Sequence, residues 1–274
     1  MGSDYIFSLM HPRLFTTPYF TLHTFGVFLA AAYAIALWWL VRAARRTGIN
    51  PERAMGLGVW VVIGAVIGAK GLMILRLLPE YAAHPSDLWS LSTIQSAGDF
   101  YGGFIGALFA AMAFFARYPD VPRWRMADLC GPAIALGQAI GRIGCFMAGD
   151  DYGRPTHLPW AVTFKDPDAA DIGGAPLGIP LHPVQLYESL VCLALFFFLV
   201  RLARRKHFEG AIILSYSILY AIARFLLEYV RGDADRGFVL GGMLSTSQFI
   251  AILLLLICGP LVLIRIKASK PVRS

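Results

Sequence analysis

Gly237-Phe-Val-Leu-Gly-Gly-Met-Leu-Ser-Thr-Ser-Gln-Phe-Ile-Ala-Ile-Leu-Leu-Leu-Leu-Ile-Cys-Gly-Pro-Leu-Val-Leu-Ile264 contains no Lys, Arg, Asp or Glu. An apolar helix needs only about 20 residues to cross the hydrocarbon core of a bilayer, so this run is long enough to span. Six further runs read the same way: Val27–Val41, Met55–Leu78, Gly102–Ala116, Leu129–Ala148, Pro183–Val200 and Ala211–Val230. Each is uncharged or broken by one or two charges, namely Lys70, Arg76, Arg142, Glu188, Arg224 and Glu228. The expectation is an all-α integral membrane protein of seven transmembrane helices, one domain over residues 1–274.

Composition agrees. Hydrophobic residues make up 57% of the chain and charged ones 15%, with mean hydropathy +0.62, whereas soluble domains carry about 25% charged residues. That excludes an ordinary soluble enzyme, a disordered chain and a fibrous repeat. The formal charge is +7, from 24 Lys+Arg against 17 Asp+Glu. Its placement explains it without nucleic acid. With seven spans, fifteen basic residues fall on one side: Arg42, Arg45, Arg46 and Arg53; Arg117, Arg123 and Arg125; Arg201, Arg204, Arg205 and Lys206; Arg265, Lys267, Lys270 and Arg273. Arg13, Arg154, Lys165, Arg231 and Arg236 fall on the other. Basic loops stay cytoplasmic, so the N-terminus is expected outside and the C-terminus inside.

The first 26 residues lack a basic segment followed by a compact apolar one, so no cleavable signal peptide is expected. Tyr5–Met10 reads as an arm on the outer leaflet. Pro79–Phe100 reads as an external, partly helical segment. Residues 149–181 form the longest external loop, a small polar cap of hairpins in which Asp166-Pro-Asp168, Gly173-Gly174 and Pro176 mark turns. Cys130, Cys145, Cys192 and Cys258 have no CxxC spacing, which indicates neither a zinc site nor a disulfide framework.

Charges inside spans are costly, by at least ~2.5–3.5 kcal/mol each, and face a cavity or a partner. Arg142 lies among Gly137, Gly141, Gly144 and Gly149, where a backbone or ligand can approach closely. Two readings stand: a small-residue packing helix whose arginine is paired with a carboxylate, or a planar guanidinium offered to phosphate. Tyr220, Arg224, Glu228 and Arg231 follow helical spacing and are expected on one face. They form either a structural ion-pair ladder or an anion site in which Glu228 holds an arginine. His182-Pro-Val-Gln185-Leu-Tyr187-Glu188 opens the fifth span, with Gln185 and Glu188 able to turn inward. Tyr101-Gly102-Gly103 opens the third, and Asp128 reads as a helix-start charge or an arginine's partner. Topology puts Asp128 on the cytoplasmic side and Tyr101, the C-terminal part of the fourth span, His182 and the Arg224–Arg231 face in the outer half, suiting a lipid headgroup phosphate.

The ordered segments Leu22-His23-x-x-Gly26, Tyr101-Gly-Gly-Phe-Ile-Gly106, Gly141-Arg142-Ile-Gly144-x-Phe-x-x-Gly149-Asp-x-x-Gly153, His182-Pro-x-Gln-Leu-Tyr-Glu188 and Arg224-x-x-x-Glu228-x-x-Arg231 together resemble the prolipoprotein diacylglyceryl transferase family. The resemblance implies a bacterial inner-membrane enzyme. It would move diacylglycerol from phosphatidylglycerol to the lipobox cysteine thiol of a preprolipoprotein, leaving a thioether and glycerol 1-phosphate. It implies no metal or soluble cofactor, and a monomer is expected. Arg142 and Arg224 would bind the headgroup phosphate and stabilise the leaving group. Glu228 and Arg231 would brace that site, and Gly153 would shape the loop over it. Gln185, Tyr187 and Tyr220 complete the expected substrate-binding set. Tyr101, Cys145, Phe25 and Lys70 stand where the family typically has His, Asn, Tyr and Arg. Tyr101 or water is therefore the expected helper in handling the thiol proton. Two other readings accompany this one: a diverged paralogue using another acceptor or lipid, and a phospholipid-binding or transport protein without chemistry.

Overall fold

The computed structural model describes residues 11–17, 20–90, 93, 96, 98–205, 208–233 and 237–269. The arm read at Tyr5–Met10 and the basic residues Lys206, Arg236, Lys270 and Arg273 lie outside the described residues. In chain order the elements are β1 (Arg13–Thr16), β2 (Thr21–His23), α1 (Thr24–Thr47), α2 (Pro51–Arg76), α3 (Leu78–Ala83) and α4 (Phe100–Arg117). There follow α5 (Arg123–Ala148), β3 (Val162–Thr163), α6 (Pro167–Gly173), β4 (Pro180–Leu181), α7 (Val184–Leu202) and α8 (Ala211–Leu227). A 3-10 turn (Glu228–Val230) extends α8, and β5 (Phe238–Val239), β6 (Leu244–Ser245) and α9 (Thr246–Ser269) end the chain.

Among the described residues, seven helices are long and apolar enough to cross a membrane: α1, α2, α4, α5, α7, α8 with its 3-10 extension, and α9. Their outward faces are apolar. Ile63, Val66 and Ile67 on α2, Phe104, Leu108 and Phe109 on α4, and Leu256, Ile257 and Leu263 on α9 are all exposed. Such continuous apolar surface is foreign to water and ordinary in lipid. The protein is an all-α integral membrane protein, with three two-stranded hairpins, β1–β2, β3–β4 and β5–β6, as its only sheets among the described residues.

The chain divides into two compact units, residues 40–126 and residues 1–39 with 127–274. In the first, α2 and α4 touch backbone to backbone. A Cβ at Gly68 would strike the Gly102 carbonyl oxygen, and one at Gly106 that of Gly64. The four-residue spacing stacks each glycine pair on one face, the usual device for close helix approach in lipid. Asp99 caps α4, accepting from the Tyr101 N–H at 2.9 Å, and Arg76 pairs with its other oxygen. Lys70, a charge within a span, donates to the Thr93 carbonyl at 2.6 Å and the Ser96 hydroxyl at 2.8 Å.

In the second unit, Ala135 of α5 packs with Leu195, Phe196 and Leu199 of α7 and Ile212 and Tyr216 of α8. Among the described residues Asp128 pairs with no arginine. It accepts from the backbone N–H groups of Gly210 (2.7 Å), Ile212 (2.9 Å) and Ile213 (3.0 Å). Gly210 supplies no side-chain cap of its own, so a carboxylate on α5 satisfies the orphan donors at the start of α8.

Two sequence expectations are corrected here. Gly237–Ile264 is not one helix. Gly237, Gly241 and Gly242 adopt positive φ, Phe238–Val239 pairs with Leu244–Ser245, and α9 begins only at Thr246 before running on past Ile264. The 149–181 loop is more regular than turns. Asp166 caps α6 with Pro167 at its first position, and Gly174 closes it in the left-handed region at φ 75°. Asp-Pro and Gly-Gly here are the start and stop of a helix. Nor is the cap wholly polar: Phe146, Val162, Phe164, Ala169, Ala175 and Leu181 form its buried core.

Candidate active site

Arg142 lies near the C-terminal end of α5. That helix closes on Gly149 (φ 77°), with the Asp150 N–H donating to the Cys145 carbonyl at 3.0 Å. The turn brings Asp151, itself at φ 56°, back over the last turns of α5. Asp and Asn tolerate this left-handed region better than other side chains do. The Asp151 carboxylate accepts from Arg142 through one oxygen and from Arg231 through the other. Burial alone would raise its pKa, but the Arg142 and Arg231 guanidinium groups hold the carboxyl below the ordinary range.

α7 contributes the centre. Gln185, Glu188, Ser189 and Cys192 follow i, i+3, i+4, i+7 spacing and are all buried. Glu188 is 2% exposed. Its Oε1 accepts from the Tyr220 hydroxyl at 2.8 Å, and its Oε2 lies 3.1 Å from Arg142 Nε and 3.7 Å from Arg224 Nη1. Two arginines from different helices thus share one carboxylate oxygen. Arg224 also pairs with Glu228 at 3.2 Å and donates to the Ser247 hydroxyl at 3.0 Å. Among the described residues its Nη1 has no hydrogen-bond partner. Tyr220 is held by stacking on Tyr216, with centroids 5.7 Å apart and planes 10° apart, while the Tyr216 hydroxyl donates to Gln138 at 2.5 Å. A polar seam therefore runs along α5, α7 and α8 inside an apolar bundle.

Arg231 does not continue the helical face of Arg224 and Glu228. α8 passes into the 3-10 turn, and Arg231 is extended at φ −72°, ψ 143°. It pairs with Asp151 at 2.5 Å and binds Asp233 through two nitrogens, at 2.9 and 2.5 Å. Gly153 explains how that strand docks. It bridges to Arg231 as antiparallel backbone, and the Gly232 N–H donates to the Tyr152 carbonyl at 3.0 Å. A Cβ on Gly153 would collide with His182 and Val184, and one on Gly232 with the Gly153 backbone.

The structure thus gathers Arg142, Arg224, Glu228, Tyr220 and Arg231 into one cluster, with Gln185 bound to the Asp150 carbonyl at 2.6 Å. Tyr187 turns elsewhere: its hydroxyl accepts from Trp160 Nε1 at 2.7 Å and lies 3.4 Å from His182 Nδ1. Tyr101 belongs to the other compact unit, in the first turn of α4, its ring edge-on to Phe100. Reading the sequence did not assign site roles to Glu188, Asp151 or Asp233. Glu188 was signalled by its place on the inward face with Gln185, whereas nothing local marks Asp151 as an arginine's partner. Cys145 Sγ and the Asp150 and Asp151 carboxylates lie within 4.8 Å of one another. With two guanidinium groups already on Asp151, that cluster is organised around fixed cations rather than around a metal.

Planar guanidinium donors converging from two helices, one with a nitrogen that makes no hydrogen bond among the described residues, suit a tetrahedral oxyanion. Fold and site define a multi-pass membrane protein whose helices hold a buried cluster of arginines and carboxylates. A family model, prolipoprotein diacylglyceryl transferase, matches residues 12–264. Relatives named phosphatidylglycerol–prolipoprotein diacylglyceryl transferase include one from Clostridium tetani, 33% identical over 90% of this chain and 95% of its own. Another, from Finegoldia magna, is 34% identical over 93% of this chain and 92% of its own. One from Solidesulfovibrio magneticus is 34% identical over 85% and 86%. The chain belongs to the prolipoprotein diacylglyceryl transferase family.

Proposed function

We propose that this chain transfers the diacylglyceryl group of phosphatidylglycerol to the lipobox cysteine thiol of a preprolipoprotein, releasing glycerol 1-phosphate. The observation that carries the reading is the convergence of Arg142 and Arg224 on Glu188, with Arg224 Nη1 making no hydrogen bond among the described residues and Glu188 Oε2 standing off from it at 3.7 Å. Attack of sulfur on the glyceryl carbon moves an electron pair onto a phosphate oxygen. Fixed guanidinium donors in a water-poor site stabilise that developing charge. Arg231 and Glu228 brace the centre, Tyr220 orients Glu188, and Gln185 and Tyr187 line the approach of the substrate. Gly153 holds the covering loop. Tyr101 is assigned a hydrogen-bond role toward the thiol.

The chain acts as a monomer in the bacterial inner membrane, as one functional domain over residues 1–274. Its N-terminus and the 149–181 cap face outside, with the site in the outer half and no role for nucleic acid. The distribution of basic residues supports this orientation. The test uses purified protein, phosphatidylglycerol and a lipobox peptide with a free thiol. Arg142→Lys and Arg224→Lys keep charge but lose the planar fork. Each should slow transfer about 10²–10³-fold, the cost of a lost transition-state contact. A double lysine variant with near-normal turnover refutes the assignment.

A further inference from the structure

The transfer proposed above requires a thiol to lose its proton, and none of the arginines can take one. The carboxylates around the centre are mostly committed. Asp151 is held by Arg142 and Arg231, Glu188 by Arg142, Arg224 and Tyr220, and Asp233 by Arg231. Glu228 is 3% exposed against Arg224. Asp150 differs. Its residue is exposed, and its side chain accepts the Asp151 backbone N–H at 2.8 Å. Its carboxylate lies within 4.8 Å of both the Asp151 carboxylate and Cys145 Sγ, and that sulfur is 3.8 Å from Arg142 Nη1.

The position of Asp150 is built rather than incidental. Its N–H is tied to the Cys145 carbonyl, and its carbonyl accepts from Gln185 Nε2 at 2.6 Å. A Cβ on Gly173, at the end of the cap helix α6, would strike the Asp150 backbone nitrogen, so the cap presses directly on this residue. Gln185 is 1% exposed, and its Oε1 has no hydrogen-bond partner among the described residues. A buried acceptor unmet by the described residues is open to a donor from water or from a ligand.

We propose that Asp150 is the proton acceptor for the substrate thiol, with the free Gln185 carbonyl oxygen orienting the incoming group. This rests on the transferase reading above. The S–H proton passes to an Asp150 oxygen as sulfur's electron pair forms the bond to the glyceryl carbon. The C–O bond breaks, its pair going to the phosphate oxygen opposite Arg142 and Arg224. Protonated Asp150 then returns its proton to water, and no redox change occurs. The surroundings tune the group. The residue keeps contact with solvent, yet the protein packed around its carboxyl and the adjacent Asp151 charge push the group above the ordinary range, while Arg142 on α5 and Arg231 beyond α8 oppose them. From α7 the facing group is the uncharged Gln185 amide, and from α6 the side-chain-free Gly173. A carboxyl raised in this way is a stronger base than an ordinary one and remains ionised at neutral pH.

The test measures transfer from phosphatidylglycerol vesicles to the lipobox peptide between pH 5 and 9.5. The wild type should lose rate only as pH falls through the raised carboxyl pKa. Asp150→Asn should lower kcat about 10²–10⁴-fold with KM for phosphatidylglycerol within about threefold. Its residual rate should climb toward the thiol's own ionisation near pH 8.5. Asp150→Glu should recover most of the rate and the acid limb. A folded Asp150→Asn protein with wild-type kcat and pH profile overturns the proposal. If Asp150→Asn fails to accumulate, a wild-type profile whose only limb lies near pH 8.5 overturns it as well. A wild type inactive on these substrates overturns instead the transferase reading beneath it.

Discussion

Glu188→Gln removes one negative charge from the middle of the arginine cluster while preserving side-chain length. At 2% exposure the site has almost no water to compensate. Deleting one partner of a buried ion pair costs ~3–5 kcal/mol, because the remaining charge is stranded. Glutamine can still point its oxygen at Arg142 and Arg224 and turn its amide toward the Tyr220 hydroxyl, which places the loss at the low end, about 3 kcal/mol. For a chain of this size that is roughly 6–12 °C in melting temperature. The assay is thermal unfolding in detergent, paired with transfer kinetics. Arg142→Gln adds a second corner and Glu188→Gln/Arg142→Gln a third. Since Arg142 Nε and Glu188 Oε2 are 3.1 Å apart, the double variant should be more stable than the sum of singles by ~0.5–3 kcal/mol. Additive losses, or a Glu188→Gln protein melting within 2 °C of wild type, would refute Glu188 as the shared anchor of the two arginines.

Asp128→Ala removes the two carboxylate oxygens that accept three backbone hydrogen bonds at the start of α8 and should destabilise the protein by ~1–2 kcal/mol, read by thermal unfolding. Asp128→Asn should fall between that variant and wild type. Tyr101→Phe should reduce transfer and Tyr101→His should retain or raise it, measured with the same peptide assay; full activity of the phenylalanine variant would reduce Tyr101 to an interfacial anchor. A cysteine introduced at Asp168 should react with an impermeant maleimide on intact spheroplasts, and one at Arg204 only after permeabilisation. The reverse pattern would invert the topology.

The spans were legible in the sequence because charge is so costly in hydrocarbon that its absence is itself a pattern. The same signal misplaced the start of α9. Phe238–Ser245 is as uncharged as the first turns of the helix after it, and hydropathy does not distinguish an apolar hairpin from a transmembrane turn. Gly237, Gly241 and Gly242 held that information as backbone conformations. The arginines were found because each is a local anomaly in an apolar run. Their partners were harder to see. Asp151 reaches Arg142 only because Gly149 reverses the chain, and Arg231 reaches Asp151 only because α8 has already ended. Asp128, likewise, caps a helix far along the chain, a relation that no window of sequence contains.

The pairing of Arg142 with both Asp151 and Glu188 has a consequence for biosynthesis. Ribosomes add roughly 5–20 residues per second, so α5 is made seconds before Glu188 exists. In that interval Asp150 and Asp151, just beyond the helix, are the first countercharges to follow Arg142 on the nascent chain. When α7 enters, its glutamate meets an arginine already in the bilayer, and when α8 follows, Arg224 arrives with Glu228 one turn away and Glu188 waiting. Counted over Arg142, Asp151, Glu188, Arg224, Glu228, Arg231 and Asp233 in the order of synthesis, the net charge of the centre never exceeds one unit in either direction.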